Sequence, residues 1–274
     1  LLTAAISRFP DNRDFILYRA VLLERMGNVE RAMRLVRGAE RMEGPTALSL
    51  LVRGRAALEE EKYVEAKRLA ERGKSLNSEM YEFDLLISDV LLETGAEGEA
   101  YSLLLSRWES APWNMELLSS LLDLAISLGK WEEGKDYLDR LLEYALDDYE
   151  TLRRAVRLYR ESNDTERALE YARGLVERYP DRTRAISAYL ELLLASGRED
   201  DARDYIAERL PRTESSEVRS LLFYFRSEIQ TDIDAQIESL QSALFENMQN
   251  IRALVKIAEL YEQALELIAD GDDP

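Results

Sequence analysis

Cysteine and histidine are both missing from the 274 residues. That excludes disulfides, thiol nucleophiles, zinc sites of the ordinary Cys/His kind and any catalytic triad that needs an imidazole base. Positive charge is in short supply: 36 lysines and arginines stand against 54 acids, a net charge of −18. A surface this acidic repels phosphate backbones and anionic lipid, which argues against nucleic acid and against membrane surfaces as partners. No apolar run reaches the roughly 20 residues of a membrane-spanning helix, so direct membrane insertion is not expected. No charged segment leads into an apolar stretch at the start. The chain opens at Leu1 without methionine, as a fragment or processed product would. A disulfide-free chain is stable in either redox setting, so both a cytoplasmic and a periplasmic or envelope-associated location stay open.

What the sequence does have is a ruler. Ala32, Ala66, Ala100, Gly134, Ala168 and Ala202 stand 34 residues apart without a slip. Five residues before each are Gly27, Glu61, Gly95, Gly129, Asn163 and Gly197. Glycine and asparagine tolerate positive φ at a helix C-terminus, so this column marks a tight turn. Twelve residues after the small residue come Gly44, Ser78, Pro112, Leu146 and Pro180, a second and looser break. Between breaks the apolar residues follow i, i+3, i+4, i+7, as at Leu118, Leu121, Leu122 and Ala125, and no stretch alternates with period two. Each period is therefore a pair of antiparallel helices, and the small column lets the second approach the first closely.

The unit Tyr18–Ala20–Leu23–Gly27–Val29–Glu30–Ala32–Val36–Ala39 resembles a tetratricopeptide repeat. Leu121–Gly129–Trp131–Gly134–Leu138 is similar, with Leu146 where the family closes on proline, and Thr165 to Pro180 is a further match. The resemblance implies an all-α fold, a right-handed α-solenoid of stacked helix-turn-helix repeats. It divides the chain into residues 1–12, the remnant of a preceding repeat, and 13–216, six repeats. A degenerate repeat around Ala235 spans 217–250, followed by a closing helix over 251–269 and an acidic tail over 270–274. The expected core includes Ile16, Leu23, Leu50, Leu91, Leu118, Leu152 and Ile186. Arg19 and Arg53 depart from an apolar column, and Arg107 and Arg209 stand where the family has alanine. Such arginines must snorkel or find a carboxylate.

One row of the first helices is left to line the concave side that the resemblance implies. Its first half carries Leu17, Val21, Leu51, Leu58, Leu85 and Leu92, read here as an exposed apolar strip. Its second half carries Arg153, Arg157, Arg160 and Arg184, suited to a carboxylate. The functional reading is a groove for a peptide or protein segment, anchored by the leucines and held by the arginines. The plainer reading gives the strip to a neighbouring segment and pairs the arginines with Glu150, Glu161 and Glu191. The lysine and asparagine clamp by which some members of the family hold chaperone C-termini is replaced here by Leu17, Val21, Leu51, Arg55, Leu85 and Asp89.

Catalysis would have to rest on carboxylates, lysine, serine or tyrosine, with Glu82 and Asp89, or Asp147 and Asp148, as conceivable carboxylate pairs. Chance supplies such pairs among so many acids, and no catalytic residue is assigned. No metal site or cofactor is expected: Asp270, Asp272 and Asp273 lack the enforced turn of a calcium loop, and no glycine-rich phosphate loop exists. Asn163-Asp164-Thr165 matches a glycosylation triplet but occupies the tight turn. The leading expectation is a non-enzymatic scaffold binding a protein or peptide in its groove, with the oligomeric state open. The alternative is a structural component of a larger assembly, and a carboxylate-based hydrolase is remote.

Overall fold

The computed structural model describes residue 8 and residues 12–271, with side chains through residue 263. The remnant assigned to residues 1–12, apart from Arg8 and Asn12, and residues 272–274 of the acidic tail lie outside that range. Among the described residues there are fifteen α-helices and no strand. They are α1 (Arg13–Arg25), α2 (Val29–Glu43), α3 (Ala47–Glu59), α4 (Tyr63–Leu76) and α5 (Glu82–Glu93). Next come α6 (Glu97–Ser110), α7 (Met115–Ser127), α8 (Trp131–Tyr144), α9 (Tyr149–Glu161) and α10 (Thr165–Arg178). The last five are α11 (Thr183–Ala195), α12 (Glu199–Arg209), α13 (Ser216–Glu228), α14 (Ile233–Glu246) and α15 (Ile251–Gly271). The chain divides into two compact units, residues 1–141 and 142–274.

The turn column behaves as its residue types demand. Gly27, Glu61, Gly95, Gly129, Asn163 and Gly197 all adopt positive φ, between 59° and 77°. In each turn the amide of the following residue bonds back to the carbonyl five positions before it, at 2.7 Å for Asn28 to Leu23 and 2.8 Å for Lys62 to Ala57. Ala96 to Leu91, Lys130 to Ala125, Asp164 to Tyr159 and Arg198 to Leu193 repeat the bond at 2.8 Å. This satisfies carbonyls that a helix end otherwise leaves orphaned, and it fixes the reversal the same way each time. At Glu61 a side-chain-bearing residue takes the conformation at a cost of roughly 1–2 kcal/mol. First helices begin on caps where the sequence provides them: Asn12, Thr46, Asn114, Asp148 and Ser215 each accept a backbone N–H of the first turn.

In unit 1 the small column lies at the centre of the packing. Ala32, Ala66 and Ala100 have no exposed surface. Around Ala32 pack Leu17, Ala20, Val36, Ala39 and Val52, with Ile16 and Leu23 half-buried against them. Leu50, Leu91 and Leu118 are buried as expected, and each fully buried leucine contributes about 1.5–3 kcal/mol. Gly73 opens the place for Phe83: a Cβ there would lie 2.2 Å from the Phe83 ring, which is fully buried. Two of the off-pattern arginines of this unit, Arg53 and Arg107, find partners. Arg53 pairs with Glu40 at 3.4 Å, and Arg107 donates to the Glu79 carbonyl at 2.6 Å.

In unit 2, Leu152, Ile186, Ala168 and Ala202 are buried. Arg209 reaches back to the Pro180 carbonyl at 3.1 Å and to Asp181 at 2.8 Å, tying down the loop between α10 and α11. Tyr159 stacks on Tyr171 and Tyr189 meets Tyr205 edge-on at 5.2 Å. The degenerate repeat is a helix pair, but its small residue is not Ala235. Helix α14 starts 34 residues after α12, which puts half-buried Gln236 in the column of Ala202. The connection between α13 and α14 has four residues where the others have three, and none of them has positive φ. Here polar bonds replace the close apolar fit: buried Ser239 accepts from Arg226 at 3.0 Å and donates to Gln230 at 2.8 Å.

Candidate functional site

The first-helix row of unit 1 runs over α1, α3, α5 and α7. Its apolar members are placed differently from the sequence reading. Leu17, Leu51 and Leu85 are 1%, 2% and 8% exposed and belong to the core, not to an open strip. The reason is the close stacking that the small column permits: Leu17 packs in the same cluster as Val52, which belongs to the next first helix. Val21 and Leu58 are half-buried, and Leu92 alone of the six is exposed.

What this row presents to solvent is mainly acid. Asp14, Asp89, Glu93 and Glu116 are exposed, and Glu82 and Asp123 half-buried. Arg55 crosses between helices to Glu24 at 3.2 Å, and Tyr81 donates to Glu116 at 2.8 Å. Asp89 shows the electrostatic balance of the row. Desolvation pushes its carboxyl above the ordinary range, Arg55 pulls it down, and Glu93 and Glu116 raise it further. Its side chain still meets water, so the desolvation is that of a recess rather than of a core.

In unit 2, Arg153, Arg157 and Arg160 share α9, and Arg184 is on α11. Arg153, Arg160 and Arg184 are exposed and Arg157 half-buried. Two of them hold acids of their own helix: Arg153 bonds Glu150 at 2.8 Å and Arg160 bonds Glu161 at 3.1 Å. Glu191 is engaged by Arg252 of α15 at 2.8 Å. Sequence pattern could not have found that contact, because 61 residues separate the pair and α15 lies outside the clean repeats.

The unit also has a cleft of about 420 Å³ lined by Arg173, Val176, Tyr189, Asp201, Tyr205 and Arg209 among others. Burial pushes the Tyr205 hydroxyl up to about 12, against the pull of Arg209. The arginines around it are already engaged, Arg198 with Asp201 at 2.5 Å and Arg212 with Glu208. Among the described residues no three acids are grouped so as to hold a metal ion, and no helix is long and apolar enough to cross a membrane. Trp108 is buried, with Tyr137 edge-on at 5.9 Å and Arg140 over its ring, whereas Trp113 is 74% exposed and packs on little.

Residues 159–222, from the end of α9 into α13, match the tetratricopeptide repeat family. No curated protein matches its sequence. Among solved structures it is similar to a tetratricopeptide repeat protein from Parabacteroides merdae, with a TM-score of 0.58 and 14% identity over 91% of this chain and 98% of that one. PilW, a widely conserved type IV pilus biogenesis factor, gives 0.63 and 14% over 77% and 99%. The Cut9–Hcn1 hetero-tetramer of the APC/C gives 0.61 and 15%, covering 94% of this chain and 51% of that one. At such identities the likeness is one of fold. Among its described residues the chain is an all-α protein of successive helix pairs.

Proposed function

We propose that this helical repeat protein is a non-enzymatic interaction scaffold of the tetratricopeptide repeat kind that holds a segment of a protein partner along its first-helix rows. The observation that carries the reading is the row of unit 1, where exposed Asp14, Asp89, Leu92 and Glu116 come from three of its four first helices, α1, α5 and α7, and the Arg55–Glu24 pair links α1 to α3. In unit 2 the exposed Arg184, with Arg153 and Arg160, offers guanidinium groups that could exchange Glu150 and Glu161 for a partner carboxylate. Cut9, similar in fold, is found with Hcn1 in a hetero-tetramer, which is a precedent for partners on such an architecture.

The test is site-specific photo-crosslinking. A benzophenone side chain is placed at Leu58 or Ser119 on the row, and at Arg34 or Glu99 on second helices, in the protein expressed in its host. Adducts from row positions and none from second-helix positions are expected. Adducts confined to the second helices would overturn the reading.

A second reading, a structural part of a larger assembly, is favoured by one feature. Phe245, Met248 and Ile251, at the corner between α14 and α15, are 90%, 80% and 72% exposed. Large apolar groups that open to water on a repeat protein mark contacts. Crosslinks from Met248 but not from the rows would favour it.

A further inference from the structure

Resting on the row as the binding face, we propose that unit 1 selects a basic segment, one in which lysine or arginine alternates with apolar residues. The argument is charge complementarity along a helix face that also offers apolar footholds. Helices α5 and α7 carry no lysine or arginine at all. Their row positions are Glu82, Asp89, Glu93, Glu116 and Asp123, beside Leu92 and the half-buried Leu58 of α3. The cation of α3 that faces them, Arg55, is held by Glu24.

The second helices of the same unit are mixed in charge: α2 and α4 carry more lysine and arginine than acid, and every second helix has cations of its own, some of them paired within a turn. Lys135 bonds Glu132 at 2.7 Å, Lys130 meets Glu133 at 3.3 Å and Arg34 meets Glu30 at 3.8 Å. Acid with no cation on the same helix is thus particular to α5 and α7 within the unit. At Asp89, desolvation works against the charged form and Arg55 favours it, while Glu93 and Glu116 act in the same sense as the desolvation. Folding holds these carboxylates together against their repulsion, and a cationic side chain lying between α5 and α7 relieves it. The apolar members limit the partner further, because Leu92 and Leu58 give an alternating peptide something to cover besides charge.

The experiment uses the full chain and three fluorescent peptides that differ only in their charged positions: lysine alternating with leucine, glutamate alternating with leucine, and serine alternating with leucine. Anisotropy is expected to show binding of the lysine peptide, weakening as salt is added, and none of the glutamate peptide. Asp89→Asn with Glu116→Gln should weaken that binding about tenfold, a fair loss for two close charges. The same charge change on second helices, Glu71→Gln with Glu99→Gln, should leave it within about twofold. Equal losses in the two variants would show diffuse attraction to an acidic protein and overturn the inference. So would equal binding of all three peptides.

The row itself is probed separately with Ser119→Trp, which obstructs it without touching a charge. Serine- or glutamate-peptide binding that Ser119→Trp abolishes would keep the row and end the claim about charge. Peptide binding indifferent to Ser119→Trp would end both. Circular dichroism of each variant separates lost binding from lost fold, and sedimentation shows whether a second copy, rather than the peptide, occupies the row. Self-association blocked by Ser119→Trp would likewise overturn the assignment.

Discussion

Arg107 Nε lies 3.3 Å from Asp84 Oδ2, joining the second helix α6 to its own first helix α5 through a carboxylate that is almost wholly buried. The other Asp84 oxygen takes Lys74 of α4, so one acid ties a hairpin to the one before it. The Arg107 contact is an ion pair without a well-formed hydrogen bond, as neither atom has a bonded partner. Asp84 stands in a column that is Leu50, Leu118, Leu152 and Ile186 elsewhere. Unit 1 has replaced an apolar core position by a charged tie.

Breaking that tie on one side is therefore costly. Asp84→Leu restores the column's usual residue but leaves Lys74 and Arg107 facing a partner that is gone. It should destabilise the protein by about 3–5 kcal/mol in urea unfolding. Adding Lys74→Met and Arg107→Ala should recover most of the loss. A triple variant no better than the single one would show that the tie is not what holds α4, α5 and α6 together.

Gly73 and Phe83 form a matched pair of a different kind. Gly73→Ala puts a methyl group into the Phe83 ring, and overpacking of this sort costs about 1–3 kcal/mol. Phe83→Leu alone also destabilises, by leaving space. Combining the two should cost less than the sum of the singles, a coupling read from a double-mutant cycle.

At Glu61 the turn takes positive φ with a side chain attached. Glu61→Gly should raise stability by about 1 kcal/mol, whereas Gly95→Ala, at φ 77°, should lower it by a similar amount. Thermal melts of the two variants moving in the same direction would contradict this account of the turn.

Asp89 is pushed above the ordinary carboxylate range in the folded protein. At neutral pH its charged form is thus less favoured in the fold than in the unfolded chain, and Asp89→Asn should raise the melting temperature. Below the ordinary carboxylate range both states of the wild type are protonated, so the advantage of the variant should vanish on acidification. A gap that widens in acid would reverse the sign of the effect.

Tyr205 behaves as the alkaline counterpart. With its hydroxyl pushed up to about 12 by burial, the neutral form is favoured in the fold. Its contribution is complete below the ordinary tyrosine value of about 10 and is lost as pH rises toward the folded value. Tyr205→Phe should lessen the fall in stability over that window, as measured by denaturant unfolding at stepped pH.

Much of this architecture is written in local sequence. The turn column, the small column and the i, i+3, i+4 spacing each act within one hairpin, through backbone conformation and close helix approach. That is why Gly27 to Gly197 and Ala32 to Ala202 announce the helix pairs before any coordinate is seen. Whether a row residue faces water was decided only by the packing of one hairpin on the next. Leu17, Leu51 and Leu85 share a helical stripe with exposed Asp14 and Asp89, yet packing buries the leucines, Leu17 in one cluster with Val52 of the next first helix, and leaves the acids outside. The partners of Arg55, Arg107 and Arg252 were settled in the same way, since these three find their mates across helices and not along them. Periodicity determines which residues a helix turns to one side. How closely the next helix approaches, a sum over many side-chain volumes, determines which of them remain to be touched.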